Sequence, residues 1–99
     1  MEEKVKISIL LEIYGKLLTE KQYEFMDYYY NQDLSLSEIA DNNDITRQAV
    51  RTILVKSKKK LEEFEEQLGF MQKEKKIKQY AEQIQDKDIK KKILEQIDF

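Results

Sequence analysis

A basic block at the start of the longest predicted helix has the residue types that bind a polyanion. Residues 46–60 contain six Lys and Arg side chains and no acid, whereas residues 1–45 contain four bases and ten acids. Arg and Gln can hydrogen-bond to base edges, and Lys neutralises phosphates. The block therefore predicts a nucleic-acid-binding surface, DNA or RNA, whose candidate residues are Thr46, Arg47, Gln48, Arg51, Thr52, Lys58 and Lys59.

The alternative for such a run is a solvated structural face, which is the commoner role of charged residues on a helix. Residues 61–68 add four glutamates, which would repel phosphates and limit nucleic-acid contact to the first half of the helix. These glutamates face several directions, and Lys58/Glu62 and Lys59/Glu63 are i,i+4 neighbours. A solvated charged face is therefore favoured for them over a metal or acid–base site.

The composition argues against an enzyme. The chain has no Cys and no His, so thiolate chemistry, an imidazole base and histidine metal ligands are excluded. No catalytic, cofactor or metal site is predicted. The run Tyr28-Tyr29-Tyr30 could suggest base stacking. Successive helical positions point about 100° apart, so the three rings cannot form one platform, and core filling is favoured.

Local signals predict where the helices that position these residues begin. Thr19 and Ser35 are N-caps followed three residues later by Gln22 and Glu38, which completes two capping boxes, and Thr46 is a third N-cap without that partner. Gly69 fits a left-handed helix end. The predicted helices cover about 3–16, 20–31, 36–42, 47–68, 71–84 and 87–97.

The unit "DLSLSEIADNNDITRQAV" has the spacing of a helix-turn-helix motif. Ala40 allows two helices to cross closely, and Ala49 and Val50 face inward. Asn43 is the residue predicted to adopt left-handed backbone angles, because Asn tolerates them better than most residues. The exposed first turns of the second helix would then present Arg, Gln and Thr, as a recognition helix requires.

The long fourth helix carries one apolar stripe about 100° wide. We expect this stripe to pack in the core, although its spacing also follows a heptad that could bury a partner helix. Val55 lies outside it, among polar residues, where a partner or a thymine methyl could contact it. The stripe comprises Val50, Ile53, Leu54, Ser57, Leu61, Phe64 and Leu68.

Composition and length bound the class. The chain has 99 residues, no Pro and two Gly. It therefore has almost none of the turn residues that connect strands, which predicts an all-α protein.

We expect a helix-turn-helix domain over 1–70 and a helical tail over 71–99 that packs on it or on a partner. A small core and amphipathic helices suggest a homodimer. Because no apolar run is long enough to cross a membrane and Met1-Glu2-Glu3 is unlike a signal peptide, we expect no membrane association and a cytoplasmic location.

The strings "LLTEKQYEFMDYYYNQDLSLSEIA", "TRQAV" and "LEEFEEQLG" resemble the YlxM family. The resemblance implies a fold like region 4 of sigma factors, a DNA-binding unit, and an association with the bacterial signal recognition particle. It covers about residues 5–70. Arg51 stands where the family often has an acid, which makes this helix more cationic.

The resemblance implies no catalytic residues. Together with the basic block, it predicts a nucleic-acid-binding regulatory or accessory protein linked to the signal recognition particle pathway. The alternative is a protein-interaction module that binds a signal recognition particle protein through its helices, without direct contact to nucleic acid.

Overall fold

The computed structural model describes residues 2–97, and in that range the chain is helical with no β-strand. The predicted all-α class is therefore confirmed. A short 3-10 helix, Gly15–Leu17, follows the first α-helix. The α-helices are α1 Glu3–Tyr14, α2 Glu20–Tyr30, α3 Leu36–Asn43, α4 Arg47–Leu68, α5 Phe70–Ala81 and α6 Lys87–Leu94.

The three predicted N-caps all form. The Thr19 hydroxyl accepts a hydrogen bond from the Gln22 N–H at 3.1 Å, and the Gln22 side chain accepts one from the Thr19 N–H at 3.0 Å. Ser35 and Glu38 make the same reciprocal pair. Thr46 accepts a hydrogen bond from the Ala49 N–H at 3.0 Å, and the methyl side chain of Ala49 cannot return one. These caps satisfy backbone donors that the first turn of a helix cannot pair.

Three helices, α1, α5 and α6, end two or three residues earlier than predicted. After α1, the backbone tightens into a 3-10 turn and then becomes extended at Leu18 (φ −82°, ψ 160°), which leads the chain into the Thr19 cap. α5 ends at Ala81, where the next residues form i→i−3 hydrogen bonds. Asp86 then caps α6 by accepting hydrogen bonds from two backbone N–H groups, which confirms the predicted break near this residue.

The core lies between α1, α2, α3 and the first two-thirds of α4. Its largest fully buried side chains are Tyr14, Ile7, Leu10, Leu11, Met26, Ile39, Leu61 and Val50. Ser57 is also fully buried, and its hydroxyl donates a hydrogen bond to the Ile53 carbonyl at 2.6 Å, so it does not leave an unpaired polar group inside. Leu68 was predicted in this stripe, but it is 42% exposed because the end of α4 extends past the bundle.

The tyrosine run packs against the core as expected. Tyr28, Tyr29 and Tyr30 are all partly buried there. The rings of Tyr29 and Tyr30 meet edge to face at 5.0 Å, while Tyr28 lies against Phe25. The three rings therefore do not share a plane.

The end of α4 and the two helices after it give the molecule an elongated shape of 53 × 25 × 22 Å. α5 begins against α1, where the Phe70 ring stacks on Tyr14 at 6.1 Å. α6 packs mainly against α5. Within residues 2–97, no helix combines the length and apolar character needed to cross a membrane.

Candidate nucleic-acid interface

A three-residue turn, 44–46, joins α3 to α4. Its left-handed residue is Asp44 (φ 53°, ψ 41°), so the prediction for Asn43 was wrong. Asn43 instead forms the last position of α3, where its side-chain amide donates a hydrogen bond to the Ile39 carbonyl at 2.7 Å. Asp shares with Asn the tolerance for left-handed angles. The backbone N–H groups of Asp44 and Ile45 both donate to the Ala40 carbonyl, which closes the turn.

Close packing holds α3 against the first turns of α4. Ile39 and Val50 are fully buried, and Ala40 is 3% exposed at the crossing of the two helices. α3 and α4 are in contact, and a small side chain such as that of Ala40 allows two helix backbones to approach closely. The short helix, the tight turn and the second helix therefore form a rigid unit that presents the start of α4.

One face of α4 carries most of the predicted site residues. Arg47, Gln48, Arg51, Thr52 and Lys59 are all exposed, as is the N-cap Thr46. By the helical period, one side of α4 holds positions 47, 48, 51, 52, 55 and 59, which together form a single stripe along the helix. The stripe from residue 47 to residue 59 is about 18 Å long at 1.5 Å per residue. The major groove of DNA is about 12 Å wide and admits an α-helix.

Some polar atoms of this face form hydrogen bonds within the chain. The Thr46 hydroxyl caps α4, and the Thr52 hydroxyl donates to the Gln48 carbonyl at 3.0 Å. Arg47 Nη1 lies 3.5 Å from Ser37 Oγ, which brings an exposed hydroxyl of α3 beside the first arginine. Ser37 was not among the sequence-predicted residues, because only the folded unit places α3 next to the start of α4.

Lys58 differs from its neighbours. Its ammonium pairs with the Glu3 carboxylate at the start of α1, and its side chain is 31% exposed. The structure therefore keeps Lys58 at the edge of the stripe, already neutralised by an acid of the same chain. Nothing within the sequence near Lys58 indicates this pair, since the two residues are 55 positions apart.

Val55 lies in the middle of the exposed face and is 57% exposed. It interrupts the polar stripe with an apolar side chain that no element of the described chain covers. An apolar group at this position can contact the methyl group of a thymine. Its exposure makes it a candidate ligand contact beside Arg51 and Thr52.

The acids after Lys60 have two different environments. Glu62, Glu63 and Glu66 are exposed, as expected for a solvated face. Glu65 turns inward, where Oε1 accepts hydrogen bonds from the Tyr14 hydroxyl at 2.7 Å and the Met71 N–H at 2.9 Å. Its Oε2 accepts one from the Gln72 N–H at 3.2 Å. Glu65 thus caps α5, whose N-cap residue Gly69 has no side chain to do so. Gly69 itself is left-handed (φ 66°), as predicted.

Burial of Tyr14, together with its hydrogen bond to Glu65, raises the pKa of its phenol to about 12. The Phe70 N–H donates to the Tyr14 hydroxyl at 3.1 Å. This network fixes the angle at which the tail leaves α4. Over residues 2–97, no three or more acidic side chains are grouped closely enough to hold a metal ion.

Comparisons with known proteins point to one family. The model of family UPF0122, "Putative helix-turn-helix protein, YlxM / p13 like", matches residues 1–98. A UPF0122 protein of Clostridium kluyveri is 51% identical over 75 residues, which are 76% of this chain and 68% of the relative. One from Malacoplasma penetrans is 45% identical over 91 residues, 91% of this chain and 84% of the relative. A Clostridium acetobutylicum relative is 42% identical over 87 residues, covering 88% and 75% of the two chains.

Proposed function

The chain belongs to the UPF0122 family of YlxM- and p13-like helix-turn-helix proteins, and on that basis we propose that it binds nucleic acid through the first half of α4. The observation that carries this proposal is the exposed stripe at the start of a helix held by a tight turn. Its polar contacts are the residues predicted from the sequence: Thr46, Arg47, Gln48, Arg51, Thr52, Lys58 and Lys59.

The charge distribution supports contact by this half of α4 only. The stripe lies in a segment with six bases and no acid, followed directly by four glutamates. Phosphates would be attracted to the first three turns and repelled from the last two. The N-terminus of α4 adds a partial positive charge and unpaired N–H groups, which also favour an anion.

Each residue has a distinct role in this proposal. Arg47 and Arg51 can form bidentate hydrogen bonds to guanine or to phosphate, and Gln48 can pair with adenine. Lys59 contributes a phosphate contact as a point charge. Val55 supplies an apolar contact between them. Lys58 reaches a phosphate only by exchanging its internal partner, Glu3.

The salt dependence of binding tests this proposal. If about four phosphates of duplex DNA are neutralised, log K should fall with log salt at a slope of roughly −4. Arg47→Ala, Arg51→Ala and Lys59→Ala should each reduce that slope by about 1. Gln48→Ala should change sequence preference at constant slope. Fluorescence anisotropy with labelled duplex DNA and structured RNA measures all four variants.

A matched control comes from α5. Lys76→Ala removes an exposed lysine away from the stripe and should leave both slope and affinity unchanged. Unaltered nucleic-acid binding by all three of Arg47→Ala, Arg51→Ala and Lys59→Ala would refute the interface. Sequencing of nucleic acid that co-purifies with the wild-type chain from cells would decide between DNA and RNA.

We also propose that the protein acts without catalysis, in the cytoplasm, as a regulatory or accessory factor of the signal recognition particle pathway, with residues 1–70 as the binding domain. The support for the pathway is the family resemblance. RNA of that particle among the co-purified molecules is the expected result. Recovery of unrelated promoter DNA alone would contradict the pathway while leaving the interface intact.

A second candidate function is a protein-interaction module. The heptad of α4 leaves less apolar surface for a partner helix than its spacing suggested, because Val50, Leu54 and Leu61 are buried in the protein's own core. The tail is the part that favours it, since Ile77, Tyr80 and Ile89 are exposed. A pull-down that recovers a signal recognition particle protein after nuclease treatment would support this function over the first.

A further inference from the structure

The α5–α6 hairpin is the part of the fold with the least internal support. None of the residues of α6 is buried, and Ala81 is the one buried position of α5. A Lys90–Glu82 ion pair at 2.9 Å joins the two helices across the turn. An isolated helix of eight residues is marginal in water. Although α6 packs on α5, a covering surface would stabilise the hairpin further.

The hairpin carries apolar side chains within a cationic frame. Tyr80 is 67% exposed, Ile89 50% and Ile77 46%. A cavity of about 400 Å³ lies along α6 between Lys87, Lys90, Lys91, Leu94 and Glu95. The aliphatic stems of lysines can form apolar walls of such a cavity while their ammonium groups stay in water. Such a surface fits a partner that offers apolar side chains bordered by carboxylates.

The outer side of α1 has that complementary character. A cavity of about 540 Å³ is lined by Leu11, Gly15, Leu18 and Tyr23 and by three charged residues, Glu12, Glu20 and Lys16. A second cavity of about 370 Å³ shares Glu12 and continues along α1 past Ile9 to Val5; its other charged residues are Glu2 and the Lys4–Asp33 ion pair. We call these two cavities together the α1 groove. Leu17 and Val5, both about half exposed, are further apolar residues of the segment that forms it.

Charge complementarity indicates which surface covers the hairpin. Residues 1–45, which contain the groove, carry four bases and ten acids. Residues 70–97 carry eight lysines and five acids. α1 and α5 each have 12 residues, so a hairpin laid along α1 would match it in length. Two hairpins packed on each other would instead bring like charges together.

We propose that the α5–α6 hairpin of one copy docks in the α1 groove of a second copy, and that the exchange is reciprocal. The hairpin cannot easily reach its own groove, because a single residue, Gly69, separates α4 from α5 and the Tyr14–Glu65 network fixes the direction of the tail. A two-fold dimer repeats each contact twice. This doubling helps two small surfaces approach the roughly 800 Å² per partner of a specific interface.

Such a dimer goes beyond nucleic-acid binding by this chain, since it would form without any ligand. It would also join two α4 recognition faces in one particle. Dimerisation is measured in the absence of nucleic acid, so a failure to dimerise would leave the proposed nucleic-acid interface on α4 untouched.

A charge exchange between the two surfaces tests the proposal. One variant, Lys87→Glu with Lys91→Glu, makes the hairpin acidic, and a second, Glu12→Lys with Glu20→Lys, makes the groove basic. Each alone should weaken dimerisation at least about tenfold, because attractive pairs become repulsive. Mixed in equal amounts, the two should dimerise with each other, since acidic hairpins then meet basic grooves and basic hairpins meet acidic grooves.

Sedimentation equilibrium measures the mass against the 12.0 kDa of the monomer, and circular dichroism confirms that each variant is folded. The matched control, Glu63→Lys with Glu66→Lys, makes the same charge change on an exposed part of α4 and should dimerise like the wild type. A wild-type chain that stays monomeric up to about 100 μM, well above a micromolar Kd, would overturn the proposal. Groove variants that dimerise normally would also overturn it.

Discussion

Removal of the Tyr14 hydroxyl is the perturbation whose effect follows most directly from the structure. Tyr14 is 1% exposed, donates to Glu65 Oε1 at 2.7 Å and accepts from the Phe70 N–H at 3.1 Å. Tyr14→Phe keeps the ring, which lies 5.9 Å from the Phe64 ring and 6.1 Å from the Phe70 ring. The substitution therefore isolates the two hydrogen bonds from the packing.

The expected loss is about 2 kcal/mol of unfolding free energy. A hydrogen bond to a charged group contributes about 1.5–3 kcal/mol, and the Phe70 N–H also loses its acceptor. For a domain of about 100 residues, this corresponds to a fall in Tm of about 10 °C. Urea denaturation of Tyr14→Phe, Glu65→Gln and the double variant measures the coupling, which should exceed about 1 kcal/mol if the two groups act together.

The pH dependence provides an independent signature. The folded state raises the pKa of Tyr14 from 10.0 to about 12, so folding holds the phenol proton more tightly than the unfolded chain does. This contribution is fully present below pH 10 and is lost as the pH rises towards 12. The stability difference between wild type and Tyr14→Phe should therefore shrink over that range. A difference below about 0.5 kcal/mol at neutral pH, or one unchanged at pH 12, would refute the account of this network.

Three further predictions concern the parts that position the site. Gly15→Ala should cost about 1 kcal/mol, because a Cβ there would lie 2.7 Å from Tyr23 Cε2; thermal denaturation should show no such cost in a Tyr23→Ala background. Thr46→Ala should lower the unfolding free energy by about 1 kcal/mol, because the cap on α4 is lost, whereas Thr46→Ser keeps a capping hydroxyl and should lose much less. Equal unfolding free energies for the two variants by urea denaturation would exclude the capping role. Glu3→Gln should release Lys58 and steepen the salt dependence of nucleic-acid binding by about one unit; an unchanged slope would show that Lys58 does not reach a phosphate.

Most helix starts could be predicted because their signals are local. Thr19, Ser35 and Thr46 each cap a backbone N–H three residues away, so side chain and partner are adjacent in the sequence. The bounds of α4 and the left-handed Gly69 followed from the same short-range rules. The turn before α4 was located correctly, but Asp44 rather than Asn43 takes the left-handed conformation. Both residue types tolerate it, and the choice depends on how α3 ends against Ile39 and Ala40.

The structure shows where the predicted site residues lie, and their environments differ. Arg47, Gln48, Arg51 and Lys59 lie exposed on one face of α4, which the helical period alone indicated. Whether they bind nucleic acid stays a prediction. Lys58 is partly covered because Glu3 approaches it from the other end of the core.

The sequence by itself determined the class, most helix starts and most of the face that α4 buries, because capping and helical periodicity act over a few residues. Only the tertiary structure decided which charges are neutralised and where the tail points. Those outcomes depend on pairs such as Glu3 with Lys58 and Tyr14 with Glu65, which are 55 and 51 positions apart. Such pairs meet only after the core has packed, so no local pattern contains them.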